Sequence, residues 1–383
     1  MTEIYVDITQ YINNRLNTGI QRVVKEYLYR ETKQNPLLVV LFYDTTKKDF
    51  VKISKEELLA FLENVSFYKF KNMVAIDIFQ KSKNKKIFFD IDSVWNSALK
   101  REGFYKKLKQ NSFYIYNFIY DLIPILFPHF MYKTTTDNFR PYIEAIFQYS
   151  DFVFFDSYSA RDDFTNIQKK SPFFKPIKKE VIYLGSDFCT QKKDTKLLLP
   201  PRYTTLLSKK YILFVGTLEP RKNQNLLIDV FDELYKKNQD LHLVFIGKIG
   251  WNVETLLKKI DTHPQKDKNI HHLIDVDDES LYLFYQNAYI VTYLSHYEGY
   301  GLPIIESLQH GNITLVSKNS SMPEVGKKFV DYIENNSKKQ LLFLLSNYLK
   351  NPKLYDTKKQ YIKKYFKTST WCSFHHKIND YLI

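Results

Sequence analysis

Residues 293–311 read YLSHYEGYGLPIIESLQHG. An apolar run ends in polar residues, Gly299 and Gly301 flank Tyr300, and Pro303 stands where the first residue of a helix would. A strand, a glycine-bearing loop and a helix N-terminus in that order turn backbone N–H groups and a positive dipole end toward an anion. Glycine lets the backbone approach a phosphate without a Cβ in the way. Glu298 precedes the loop and Glu306 lies inside the helix, so a carboxylate stands on either side of the expected anion position. Glu306 is placed to accept ribose hydroxyls and Glu298 sugar hydroxyls. On spacing alone, the same residues also suit a tight turn with two solvated glutamates.

Upstream, residues 214–223 read FVGTLEPRKN. This run opens as a buried strand, turns at Gly216 and delivers Arg221 and Lys222 just before a helical segment. Open α/β sheets bind ligands at the C-terminal ends of their strands. A planar guanidinium fork beside a point charge suits a diphosphate, and fixed cations there would stabilise a diphosphate leaving group. Cations at a helix N-terminus oppose its dipole, a mismatch that favours a functional role over a decorative one. A third and weaker element is NTGIQRVV at 17–24, where Gly19 permits close approach of a loop to a ligand.

Strand-like and helix-like runs alternate along the whole chain, which predicts an α/β fold with parallel sheets covered by helices. Strands are expected at 4–8, 37–43, 86–90, 113–120, 152–155 and 180–183, with a helix over 19–31. A second series is expected at 211–215, 242–246, 270–273, 288–293 and 314–317, with helices over 225–237, 280–287 and 303–309. The charged stretch 191–210, with Pro200 and Pro201, reads as a linker. The 383 residues then divide into a first domain, 1–190, and a second, 191–369, a size too large for one ordinary core and one that implies a cleft.

Composition excludes several classes. The two cysteines, Cys189 and Cys372, are far apart and in no metal-ligand spacing, so neither a disulfide framework nor a zinc site is indicated. MTEIYVDITQ lacks the basic and apolar segments of an export signal. The apolar stretch 113–132 is broken by Asn117, Asp121, Pro124 and Pro128, which argues against a spanning helix. A cytoplasmic location, or one on the inner face of the membrane, is expected. The net charge of +14 favours a polyanionic partner, whether nucleic acid, anionic lipid or phosphorylated substrate, and does not choose among them. Solvated lysine faces would account for the same excess.

The two quoted segments resemble the hallmark pair of the retaining enzymes of glycosyltransferase family 4. Matching runs follow in order: NTGIQRVV, YDLIPILFPHF, FFDSYSARDDF, VIYLGSDF, DVDDESLYLFYQNA and TSTWCSFHHKINDYL. The branch resembled contains bacterial O-antigen and capsule enzymes, often mannosyltransferases. The resemblance implies the GT-B fold of two Rossmann-like domains, with a C-terminal helix over about 370–383 crossing back to the first. It implies that a hexose, with mannose as one candidate, passes from a nucleoside diphosphate sugar to a glycan or lipid-linked acceptor in cell-surface polysaccharide synthesis.

Carried over by position, the family's paired glutamates fall on Glu298, facing the donor sugar, and Glu306, facing the ribose. Its diphosphate-binding cations fall on Arg221 and Lys222. Its phosphate-facing backbone falls on Tyr300, Gly301 and Leu302, with Gly299 also among the donor-binding residues, its base-contacting loop near Val276, and its first-domain glycine loop on Gly19. Many members carry a histidine where this chain has Tyr120, beside the donor sugar; a tyrosine can donate a hydrogen bond there but not take the same role. No metal or other cofactor is expected.

Other features read as structural. Asp90 and Asp92 resemble a metal-binding Asp-x-Asp, although a strand end is the simpler reading. His129, His271 and His272 have no partner at informative spacing. The apolar run 122–132 is expected to be packed, with contact to a lipid-linked acceptor as the alternative. Two rival functions are an epimerase of the same fold, which needs no acceptor, and a basic nucleic-acid-binding protein. No recognisable RNA- or DNA-binding module occurs, so nucleic acid is not an expected partner.

Overall fold

The computed structural model describes residues 1–15, 18–65, 67–187 and 199–382. Cys189, the first part of the expected linker (191–198), Asn17 and Phe188 lie outside the described residues. Two compact units emerge: Met1–Gly185 together with Ser369–Ile383, and Ser186–Thr368.

The first unit carries β1 (Thr2–Asp7), β2 (Leu38–Asp44), β3 (Asp49–Ile53), β4 (Met73–Ala75), β5 (Lys85–Asp90), β6 (Phe113–Ile119), β7 (Phe152–Phe155) and β8 (Lys178–Val181). They form one sheet in the order β4-β3-β2-β1-β5-β6-β7-β8. The strands from β2 through β1 and β5 to β8 pair in parallel. Their centres are continuous apolar runs because helices cover both faces; β7, FVFF, is buried at every position. One expectation is corrected here, since β3 and β4 pair antiparallel at the edge. The turn into β3 is set by Asp44, whose carboxylate accepts the N–H groups of Thr46 and Lys47.

The second unit holds β9 (Lys210–Val215), β10 (Leu241–Ile246), β11 (Ile270–Leu273), β12 (Ile290–Tyr293), β13 (Ile313–Ser317) and β14 (Asp331–Ile333). All its pairings are parallel, in the order β11-β10-β9-β12-β13-β14. The strand order reverses between β9 and β12, and a crevice opens at such a switch point in doubly wound sheets. The expected linker is corrected in part: Pro201–Leu207 is a helix opened by its proline.

A helix over Trp371–Leu382 belongs to the first unit. It packs on the helix Gly19–Gln34. Glu31 there accepts hydrogen bonds from His375 Nε2 at 2.8 Å and Asn379 Nδ2 at 2.7 Å, both at its Oε2, and from Asn35 Nδ2 at Oε1. Burial pushes the Glu31 carboxyl up, but these donors hold it below its ordinary value. The Phe374 ring meets Phe118, and Tyr381 meets Phe152. Gly185 faces this helix so closely that a Cβ would lie 2.3 Å from the Trp371 nitrogen.

Candidate active site

At the switch point of the second sheet, the chain leaving β9 and the chain leaving β12 run side by side. After Gly216 the first makes a 3₁₀ turn at Pro220–Lys222 and enters the helix Gln224–Tyr235 through Asn223, which takes a left-handed conformation. The second passes Ser295 to Gly301 and enters the helix Leu302–Gln309. Backbone joins the two where His296 N–H donates to the Arg221 carbonyl at 2.8 Å. Gly301, at φ +106°, forms the cap of that helix, and a Cβ there would come within 3.0 Å of Ile304.

Side chains converge on Glu298. Its Oε1 lies 2.6 Å from Lys222 Nζ and 2.9 Å from Arg221 Nη1. All three side chains are nearly buried, at 8%, 10% and 11% exposure. Burial alone would raise the Glu298 carboxyl, but the two cations outweigh it and hold the group down at about 2. Lys222 Nζ also donates to Tyr293 Oη at 2.8 Å, and Arg221 pairs with Glu219 and with the Tyr297 carbonyl. The loop is pinned from the chain following β13. Ser320 Oγ accepts the Glu298 N–H at 3.0 Å, and Ser321 Oγ reaches the carbonyls of Glu298 and Tyr300 at 3.0 and 2.9 Å.

Glu306 is 3% exposed, and its Oε2 accepts the Tyr285 hydroxyl at 2.8 Å. Val276, in the connection after β11, packs on the apolar cluster that contains Tyr285. The second unit therefore brings together Arg221, Lys222, Glu298 and the loop through Gly299, Tyr300, Gly301 and Leu302, with Glu306 on the helix that follows. Gly19 and Tyr120 belong to the first unit. Gly19 is the first residue of its helix, and the Tyr120 hydroxyl donates to the Ile91 carbonyl at 2.7 Å.

Reading the sequence placed the cations on a diphosphate and Glu298 on a sugar, without linking them; the structure joins all three. It also adds Glu219, Tyr293, Tyr285, Ser320 and Ser321. Glu219 stood inside the quoted motif, two residues from Arg221, whereas the serines carried no sequence signal because their approach depends on the fold.

The structural readings fare unevenly. Asp90 is held by Arg101 Nε at 2.7 Å and by the Tyr105 hydroxyl, and Asp92 accepts the N–H groups of Tyr11 and Ser93. Burial raises Asp92 to about 7 against those two donors. His271 Nε2 lies 3.1 Å from His242 Nδ1, and His272 Nε2 donates to the Gly247 carbonyl. Packing of the run 122–132 holds only for its first part. Leu122 to Pro124 are buried, whereas Leu126, Pro128, His129 and Tyr132 are exposed, because two short turns broken by prolines leave too little regular structure to bury both faces. Among the described residues, no helix is long and apolar enough to cross a membrane.

Residues 201–365 match the family of glycosyl transferases group 1. The chain has the GT-B fold, and the matched segment, less than half of the chain, resembles the glycosyl transferases of group 1. It is 28% identical over 199 residues to the serotype-specific mannosyltransferase WbdA of Escherichia coli, a match that spans 50% of this chain and 24% of that protein. It is 34% identical over 116 residues to O-antigen chain mannosyltransferase B of Escherichia coli, 30% of either chain. Among solved structures, HepE of Anabaena in complex with UDP and glucose superposes with a TM-score of 0.67 at 11% identity, covering 100% of this chain and 99% of that one. WaaG, a glycosyltransferase involved in lipopolysaccharide biosynthesis, superposes at 0.63 and 13% identity, again over 100% and 99%.

Proposed function

We propose that this chain transfers a hexose from a nucleoside diphosphate sugar to a glycan or lipid-linked acceptor in the synthesis of a cell-surface polysaccharide, with retention of the donor's anomeric configuration. Mannose is the first sugar to test, given the mannosyltransferases it resembles. The observation that carries the reading is the convergence of Arg221 and Lys222 on Glu298, beside the Gly299–Gly301 loop, at the switch point of the second sheet.

In this reading the diphosphate takes over the ammonium and guanidinium that Glu298 holds in the free protein. The two cations then stabilise the charge that develops on the leaving group. Glu298, which those cations hold at about 2 in the free protein, is left to accept sugar hydroxyls and to stabilise positive charge at the reacting carbon. Glu306 accepts from the ribose, and the backbone of Tyr300, Gly301 and Leu302 faces the phosphates. The departing diphosphate takes the acceptor's proton on the same face, which requires no separate base. Fixed cations and a helix N-terminus supply the charge that a metal would otherwise bring, and Asp90 is engaged by Arg101 and Tyr105. A cytoplasmic location, with contact to the inner membrane face, follows from the nucleotide donor and a lipid-linked acceptor.

The test is transfer by the purified chain with a panel of UDP- and GDP-hexoses and an oligosaccharide acceptor. Arg221→Ala and Lys222→Ala are each expected to cut the rate about a hundredfold or more with the fold preserved. Near-normal turnover in either would remove the diphosphate assignment. Chelation by EDTA should leave the rate unchanged; abolition by EDTA with rescue by manganese would assign Asp90 and Asp92 as ligands. An inverted linkage by NMR would overturn the mechanism, and conversion of the sugar without an acceptor would make the chain an epimerase.

A further inference from the structure

Residues 168–179 read QKKSPFFKPIKK. They link the helix Tyr158–Gln168 to β8 in the first unit. No acidic residue occurs from Phe164 to Lys179, while five lysines do: Lys169, Lys170, Lys175, Lys178 and Lys179. Two adjacent phenylalanines in a strand would point to opposite faces; here both point out, Phe173 at 41% and Phe174 at 56% exposure. Single exposed apolar residues need no explanation, but a pair at the tip of a cationic turn is a different case.

The turn is built. Gln168 is fully buried, donates to the Lys175 carbonyl at 3.0 Å and accepts from Lys179 Nζ at 2.7 Å, which ties its two limbs together. Ser171 supports the apex, its Oγ accepting the Phe173 N–H at 3.1 Å and its carbonyl the Phe174 N–H at 3.2 Å. Pro172 and Pro176 stiffen both sides. Lys169, Lys170 and Lys178 are exposed around the rings. The surface continues through Lys175, which lies within electrostatic reach of the Lys109–Asp151 pair. It reaches Tyr114, 46% exposed, with Lys109 and Lys85 over its ring at 5.7 and 5.2 Å. β8 is an edge strand, and lysines guard such edges against unwanted pairing. That role accounts for Lys178 and Lys179, and for neither the phenylalanine pair nor Lys169 and Lys170.

We propose that the turn 169–178 is a wedge for an anionic phospholipid bilayer, with Phe173 and Phe174 entering the boundary of the acyl region and the lysines resting on the headgroup phosphates. Charge complementarity selects this partner. Two outward phenyl groups with no polar tip want hydrocarbon, and ammonium groups on a turn that itself carries no acid want fixed negative charge, which an anionic interface offers together. The wedge gives the membrane contact proposed above a location and rests on that reading for its purpose. Its test uses no sugar donor, so its failure and the failure of the transfer reading are separate results.

The experiment is flotation of the full chain with phosphatidylcholine vesicles and with vesicles containing phosphatidylglycerol. Binding is expected to the second only, and to weaken roughly fivefold for each of Lys169, Lys170 or Lys178 replaced by glutamine. The double variant Phe173→Ser, Phe174→Ser should lose roughly tenfold or more. An equal loss of charge elsewhere, Lys363→Gln with Lys364→Gln, should lose much less. Phe174→Trp should shift its emission to the blue when phosphatidylglycerol vesicles are added. The proposal is overturned by equal binding of the wild-type and the phenylalanine variant, by an unshifted tryptophan, by capture of nucleic acid instead of vesicles, or by a concentration-dependent dimer that the phenylalanine variant abolishes.

Discussion

One carboxylate in the second unit carries two cations. Removing Glu298 leaves Lys222 buried with only the Tyr293 hydroxyl, and removing Arg221 leaves Glu298 with its shorter partner, at 2.6 Å, but strands the buried carboxylate of Glu219. Breaking a buried pair from the side that strands a charge is the costly direction. Glu298→Gln and Arg221→Ala are therefore each expected to lower stability by about 3 kcal/mol, as read from urea midpoints. A negligible loss in either would mean that these groups do not act as one network. The sign of the pH dependence follows from the depressed carboxyl. Its folded value of about 2 lies below the ordinary one, so the contribution is complete above the ordinary carboxylate range and is lost only as pH falls through the folded value. The gap between wild-type and Glu298→Gln should thus stay constant from about pH 8 to about pH 5 and close below that. A gap that closes near neutrality would place the Glu298 proton elsewhere. These residues were legible because motif and charge lie in contiguous stretches; Ser320 and Ser321, which hold the loop from another strand's exit, were not.

Elements were legible where burial is continuous. FVFF at β7 matches its expected span residue for residue, since a short apolar run flanked by polar residues has one way to lie in a parallel sheet. The antiparallel pair β3 and β4 and the edge strand β14 escaped notice. Each is short, carries exposed or half-exposed positions, and is defined by pairing to a neighbour more than by its own pattern. The helix Leu302–Gln309 shows what an element asks of one residue. Its cap, Gly301, sits at φ +106° with Ile304 against the position of a Cβ. Gly301→Ala should cost roughly 1–3 kcal/mol in stability. It should also weaken binding of the preferred nucleoside diphosphate beyond what Tyr300→Ala does, because the strain falls on the backbone proposed to face the phosphates. Thermal shift with that nucleotide measures both, and unchanged affinity in Gly301→Ala would detach the helix start from the ligand.

At the scale of the whole molecule, the chain returns to its first unit after completing its second. The closing helix, Trp371–Leu382, brings His375 to Glu31, and His375→Ala should cost roughly 2 kcal/mol through the lost hydrogen bond to a buried carboxylate. Calorimetry is expected to resolve two transitions, only one of them lowered by this change. A uniform shift of both would show the units melting as one. The location of the candidate-site charges was readable from sequence, whereas this return stroke was anticipated only through a family resemblance, since an amphipathic helix does not name the surface it covers. The closing helix also sets a timetable. On the ribosome, residues 186–368 emerge and can settle while Phe118, Phe152 and Glu31 still await the rings and donors of a segment not yet made. The half of the chain that is translated first is thus the half that matures last, and a chaperone that shelters nascent chains would meet an unsealed first sheet beside a finished second one.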